Sequence, residues 1–181
     1  MYEVEVKVRA DHDAVRSALE RLEATRVGTV EQADVYYDVP HRNFAETDEA
    51  LRIRREVDAA GESETVLTYK GPLVEDDSKT REEIETPIVE LPTFEAILDS
   101  LGFEPAATVE KTRERWEVDD YVVSLDDVAG LGGFVEVEAE AEREAVSSVR
   151  DGAYEVLRRL DLDPESQIRT SYLGLLLEDD G

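Results

Sequence analysis

The chain has 181 residues, with 46 acidic against 20 basic side chains and a formal net charge of −26. Apolar residues still make up 41% of it, enough to build one buried core and too many for a disordered segment. The charge excludes passive attraction to DNA, RNA or anionic lipid, and the lack of cysteine excludes disulfides, thiolate metal sites and cysteine nucleophiles.

The elements follow in chain order. Residues 2–9 alternate as a strand, and Asp11 then caps a helix carrying Val15, Leu19 and Leu22 on one face. Strands follow at about 27–38, 50–57 and 64–70, the last two joined by a hairpin loop at 59–63. The polar stretch Gly71–Thr80 reads as a longer exposed loop, before a strand at about 81–89. Pro92-Thr93 opens a second helix, with Phe94, Ile97, Leu98 and Leu101 apolar and Gly102 as its stop. Strands at about 106–118, 121–128 and 134–142 come next, with Gly130–Gly133 making a tight hairpin rather than a phosphate loop. A third helix runs from about Glu144 to Leu160.

No repeat appears, and composition does not shift along the chain, so residues 1–181 read as one α+β domain dominated by mostly antiparallel sheet. The start lacks the basic and apolar regions of a secretory signal. The longest apolar run, Tyr172–Leu177, is far below the roughly 20 residues of a membrane span. A cytoplasmic protein is expected. The acidic excess, beside only four lysines (Lys7, Lys70, Lys79 and Lys111), points to adaptation to high salt. Stability is therefore expected to rise with KCl as screening relieves self-repulsion. Equal melting temperatures at low and high salt would refute that reading.

The strands carry the functional signal. Tyr2, Val4, Val6 and Val8 share one face of the first strand, and Glu3, Glu5, Lys7 and Arg9 share the other. Arg52 and Arg54, then Lys111, Arg113 and Arg115, then Glu136 and Glu138 fall on single faces in the same way. Solvent-facing positions in so acidic a chain should be Asp and Glu, yet the scarce cations gather on these strands. A sheet curled with its charged face inward would enclose a channel of both signs. Clustered Arg and Lys suit a polyphosphate, and carboxylates at i, i+2 spacing suit Mg²⁺ or Mn²⁺. The mixture points to a metal–triphosphate complex.

At these residues the sequence resembles the CYTH superfamily, which contains class IV adenylyl cyclases and thiamine triphosphatases. Glu3-Val4-Glu5-Val6-Lys7 matches its ExExK signature. Gln32–Asp38, Ala50–Arg54, Thr68–Gly71, Glu110–Arg113, Asp126, Gly130–Glu138 and Ser171-Tyr172 match later motifs in order and rough spacing. The resemblance covers almost the whole chain. It implies a closed eight-stranded, mostly antiparallel barrel, the triphosphate tunnel fold, with helices packed outside. By the same resemblance Glu3, Glu5, Asp126, Glu136 and Glu138 are metal-facing acids for Mg²⁺ or Mn²⁺. Lys7, Arg52, Arg54, Lys70, Lys111 and Arg113 are triphosphate-binding bases, and Glu3, Glu5, Lys7, Lys111, Asp126 and Glu136 form the catalytic set. Arg81, Glu83, Glu85 and Arg115 share the inward phase. For each of these the ordinary alternative is a structural ion pair inside the barrel.

The Lys70-Gly71 pair, Glu110–Arg113 and the Gly-Leu-Gly before Glu136 look most like the cyclase branch, which implies conversion of ATP to cyclic AMP and pyrophosphate. The alternatives are a triphosphatase acting on thiamine triphosphate, inorganic triphosphate or NTPs, and a non-catalytic nucleotide or polyphosphate binder. Relatives in the cyclase branch suggest a homodimer. His12 and His41 are expected at the surface, Ser171 lacks a triad pattern, and Tyr172 and Trp116 read as packing residues.

Overall fold

A computed structural model describes residues 1–179 of the expected 1–181 domain, so Asp180 and Gly181 lie outside the described residues. Eight strands form, β1 (Tyr2–Arg9), β2 (Thr25–Asp38), β3 (Ala50–Asp58), β4 (Ser63–Lys70), β5 (Lys79–Pro87), β6 (Glu104–Val118), β7 (Tyr121–Val128) and β8 (Gly132–Ala141). They close into a barrel in the order β1-β5-β4-β3-β2-β6-β7-β8, every neighbouring pair antiparallel and β8 pairing back onto β1. This is the triphosphate tunnel architecture that the motifs imply.

The period-two pattern sets which side faces where. Val6 and Val8 of β1, Trp116 and Val118 of β6, Val123 and Leu125 of β7, and Val135 and Val137 of β8 point outward into one core. Two helices complete that core: α1 (His12–Arg21) through Val15, Ala18 and Leu19, and α4 (Val146–Arg159) through Ala153, Val156 and Leu157. Asp11 caps α1 as expected, its carboxylate accepting from the Ala14 backbone N–H at 3.0 Å. Gly152 lets α4 approach β7 closely, since a Cβ there would lie 1.9 Å from the Tyr121 hydroxyl oxygen. On the opposite wall α3 (Leu91–Ser100) buries Leu98 against Tyr37 and Ile53.

Two helices are absent from the sequence reading. The four-residue α2 (Phe44–Thr47) lies between β2 and β3, and α5 (Tyr172–Asp179) is the apolar run noted above, packed on Val109, Val128 and Phe134. The stretch read as a loop to Thr80 ends two residues sooner, because Lys79 and Thr80 pair with Glu5 and Val4 of β1. His12 is not at the surface as expected. It is half-buried, with Nε2 3.0 Å from the Phe134 carbonyl oxygen, whereas His41 is exposed. No described helix is long and apolar enough to cross a membrane.

Candidate active site

The inward faces of the strands enclose a cavity of about 880 Å³. Ten carboxylates and ten cations line it, so half of the chain's 20 basic side chains serve this one space. Apart from Arg9, which is exposed and donates to the Leu131 carbonyl at 3.0 Å, the cations that the sequence places on strand faces line this space.

Most of the cations are held by acids from other elements around the wall. Arg113 donates from Nε and Nη2 to both oxygens of Asp126, at 2.7 and 2.6 Å, and from Nη2 to Glu136. Arg54 grips both oxygens of Asp34 at 2.7 Å, and Arg115 grips Glu56 at 2.8 and 2.9 Å. Lys70 pairs with Glu83, and Arg81 donates to the Asp48 carbonyl and carboxylate at 2.7 and 3.0 Å. Arg52 donates from Nη2 to the Thr68 hydroxyl at 3.1 Å, while its buried Nε has no acceptor among the described residues.

These pairs set the protonation states. Burial alone would raise Asp34, but the bonds from Arg54 and the charges of Arg52 and Lys111 outweigh it and hold the carboxyl well below its usual range. Burial works against ionisation of Glu136 and Asp126 too, and Arg113 with Lys111 again prevails, so both stay charged. Lys111 is pushed down to about 8 by burial and by Arg113 beside it.

Among the described residues, Glu3 and Glu5 of β1 and Glu138 of β8 come together as a carboxylate cluster, with Lys7 3.8 Å from Glu5. Each offers an oxygen within 4.8 Å of the others. Burial pushes Glu3 up to about 8, aided by the charge of Glu138, and burial likewise raises Glu138. Glu3 and Glu138 resist ionising in this crowd of carboxylates, and a divalent cation relieves it. An all-oxygen donor set fits Mg²⁺ or Mn²⁺.

A model of the CYTH domain matches residues 1–172. The chain belongs to the CYTH family. Its members are adenylyl-cyclase-like or triphosphatase enzymes that bind triphosphates and are generally metal-dependent. Among similar proteins, one from Methanocaldococcus jannaschii named "Putative adenylate cyclase" is 38% identical over 177 residues, 97% of this chain and 98% of that one. The structure of the PH1819 protein from Pyrococcus horikoshii OT3 superposes with a TM-score of 0.91 at 38% identity, covering 98% and 99% of the two chains. A Hippeastrum structure, described as a "Putative adenylyl cyclase" with a dominant triphosphatase activity, shares the fold at a TM-score of 0.65 and 18% identity, covering 98% and 95%.

Within this CYTH tunnel the expected residues separate into two groups. Glu3, Glu5 and Glu138 form the carboxylate cluster. Asp126 and Glu136, expected as metal-facing acids, are each bonded to Arg113, and Asp126 also lies 3.4 Å from Lys111 Nζ. Lys7, Arg52, Arg54, Lys70, Lys111 and Arg113 all line the cavity, as do Arg81, Glu83, Glu85 and Arg115.

Sequence reasoning missed three participants. Asp34 lies inside the quoted Gln32–Asp38 motif, and its inward phase with Gln32 was the available signal. Tyr172, read as packing, donates its hydroxyl to Asp126 at 2.8 Å. Its ring lies 4.3 Å from Lys7 Nζ and 4.8 Å from Lys111 Nζ, so it positions both lysines through cation–π contact. Lys79 lines the tunnel from the segment read as loop.

Proposed function

We propose that this enzyme acts on a metal–triphosphate complex in the tunnel, with ATP as substrate and cyclic AMP and pyrophosphate as products. The observation that carries the reading is one cavity with cations, a carboxylate cluster and apolar side chains together. Tyr36, Phe44, Leu173 and Leu177 line the same space as the charged groups. An inorganic triphosphate needs no such surface, whereas a nucleoside does. The likeness over the whole chain to an archaeal protein named as a cyclase supports the same reading.

In the cyclase reaction the ribose 3′-hydroxyl attacks the α-phosphorus and pyrophosphate leaves. The protein's part is placement and charge. Lys7 and Lys111, held against the Tyr172 ring, meet the phosphate oxygens, and Arg52 supplies its unmatched N–H. Arg54 and Arg113 keep the wall basic and take their geometry from Asp34 and Asp126. Glu3, Glu5 and Glu138 would hold Mg²⁺ or Mn²⁺, which when bound neutralises charge on phosphate oxygens. A triphosphatase would use the same lining to direct water at the terminal phosphorus, and the Hippeastrum structure is described as having that activity in this fold.

Product analysis in high KCl with Mg²⁺ or Mn²⁺ tests the reading, with ATP, thiamine triphosphate and inorganic triphosphate offered separately. Cyclic AMP plus pyrophosphate is expected. Orthophosphate release would replace the cyclase with a triphosphatase, and tight binding without turnover would make the protein a binder.

A further inference from the structure

Lys79 differs from its neighbours in the tunnel. It opens β5 directly opposite Glu5 in the β1–β5 ladder, and its side chain lines the cavity. Arg54, Arg81, Arg113, Arg115 and Lys70 are bonded to carboxylates, yet Lys79 forms no ion pair within 4 Å among the described residues. The charges that act on it most are mainly of its own sign: Lys7, Arg81 and Lys70 repel it, and Glu5 attracts it. Burial first, and those like charges second, push its ammonium down to about 8.

A partly buried ammonium facing three cations costs the empty protein stability, and an anion in the cavity removes that cost. The β1 acids do not do so, since Glu5 belongs to the carboxylate cluster and lies nearer Lys7, at 3.8 Å. We propose that Lys79 is an anion-binding residue of the tunnel, taking a non-bridging phosphate oxygen of the bound polyanion on the side of Glu3, Glu5 and Glu138. This rests on the triphosphate reading for the identity of the anion, not for the presence of a site.

The test compares the whole chain with Lys79→Met and Lys79→Arg in EDTA, using inorganic triphosphate by calorimetry and both triphosphate and sulfate by thermal melting. Lys79→Met should melt at or above the wild-type temperature without ligand, because it removes a repelled cation. Its triphosphate Kd should rise roughly 10- to 100-fold, the effect of one lost charge-assisted hydrogen bond, and Lys79→Arg should restore most of the affinity. A lower melting temperature with unchanged affinity would make Lys79 structural and overturn the proposal. If the wild type binds no triphosphate, the triphosphate reading fails. Lys79 then keeps its role only if sulfate raises the wild-type melting temperature more than that of Lys79→Met, and equal shifts overturn it.

Discussion

Arg113→Ala is expected to lose about 3–5 kcal/mol of folding stability, the usual cost of removing one partner from a buried ion pair. Asp126 and Glu136 are both buried, and Arg113 is bonded to each. Without it Lys111 and Lys7 would be the main positive charges left to Glu136. The pH dependence has a definite sign. Both carboxyls are held below their ordinary pKa in the folded protein, so the stability they confer is present above about pH 4 and lost as pH falls through the folded values. The deficit of Arg113→Ala should therefore shrink in acid. Urea unfolding at pH 7 and well below pH 4 reads both effects. A loss under about 1 kcal/mol at pH 7 would show that the pair is not held by Arg113. Combining Arg113→Met with Asp126→Asn and Glu136→Gln should recover much of the loss, since it removes the charges together.

Glu5→Gln is expected to cut metal-dependent turnover roughly 100-fold or more while stabilising the metal-free protein. Glu5 is one of the three clustered carboxylates, and its charge helps to raise Glu3. In the metal-free wild type, Glu3 stays protonated to about pH 8 when folded but ionises near its ordinary value when unfolded. The folded state thus holds the extra proton between those limits, and stability should fall as pH rises across them. Added Mg²⁺ should flatten that fall, and Glu5→Gln should reduce its slope in EDTA. Melting curves at pH 5 and pH 8, with and without Mg²⁺, supply the check. A variant that keeps the wild-type response to Mg²⁺ would remove Glu5 from the metal shell.

The strands were legible because their two faces differ in kind: Val4, Val6 and Val8 against Glu3, Glu5 and Lys7 leave no doubt about period or phase. The first residues of β5 gave no such contrast. Ser78 and Thr80, the neighbours of Lys79, are buried but polar, bonded to each other at 2.7 Å and to Glu75, so the apolar half of the pattern is missing. The division of the acids was illegible for another reason. Whether Arg113 meets Asp126 depends on the register of β6 against β7, which sets the two opposite each other. Nothing local in either strand encodes that pairing. For α5, the apolar run was visible, but its destination against Phe134 and the two lysines is a tertiary fact.

The even balance of charge along the tunnel has a kinetic consequence. In formal charge ten acids and ten bases balance there, which places the formal excess of −26 on the remainder of the molecule. A polyanion diffusing toward the opening thus meets a repulsive field first and an accommodating interior second. The field reaches about 10 Å at 0.1 M salt and about 3 Å at 1 M. Capture should then quicken as ionic strength rises, the reverse of the steering seen when protein and ligand carry opposite charge.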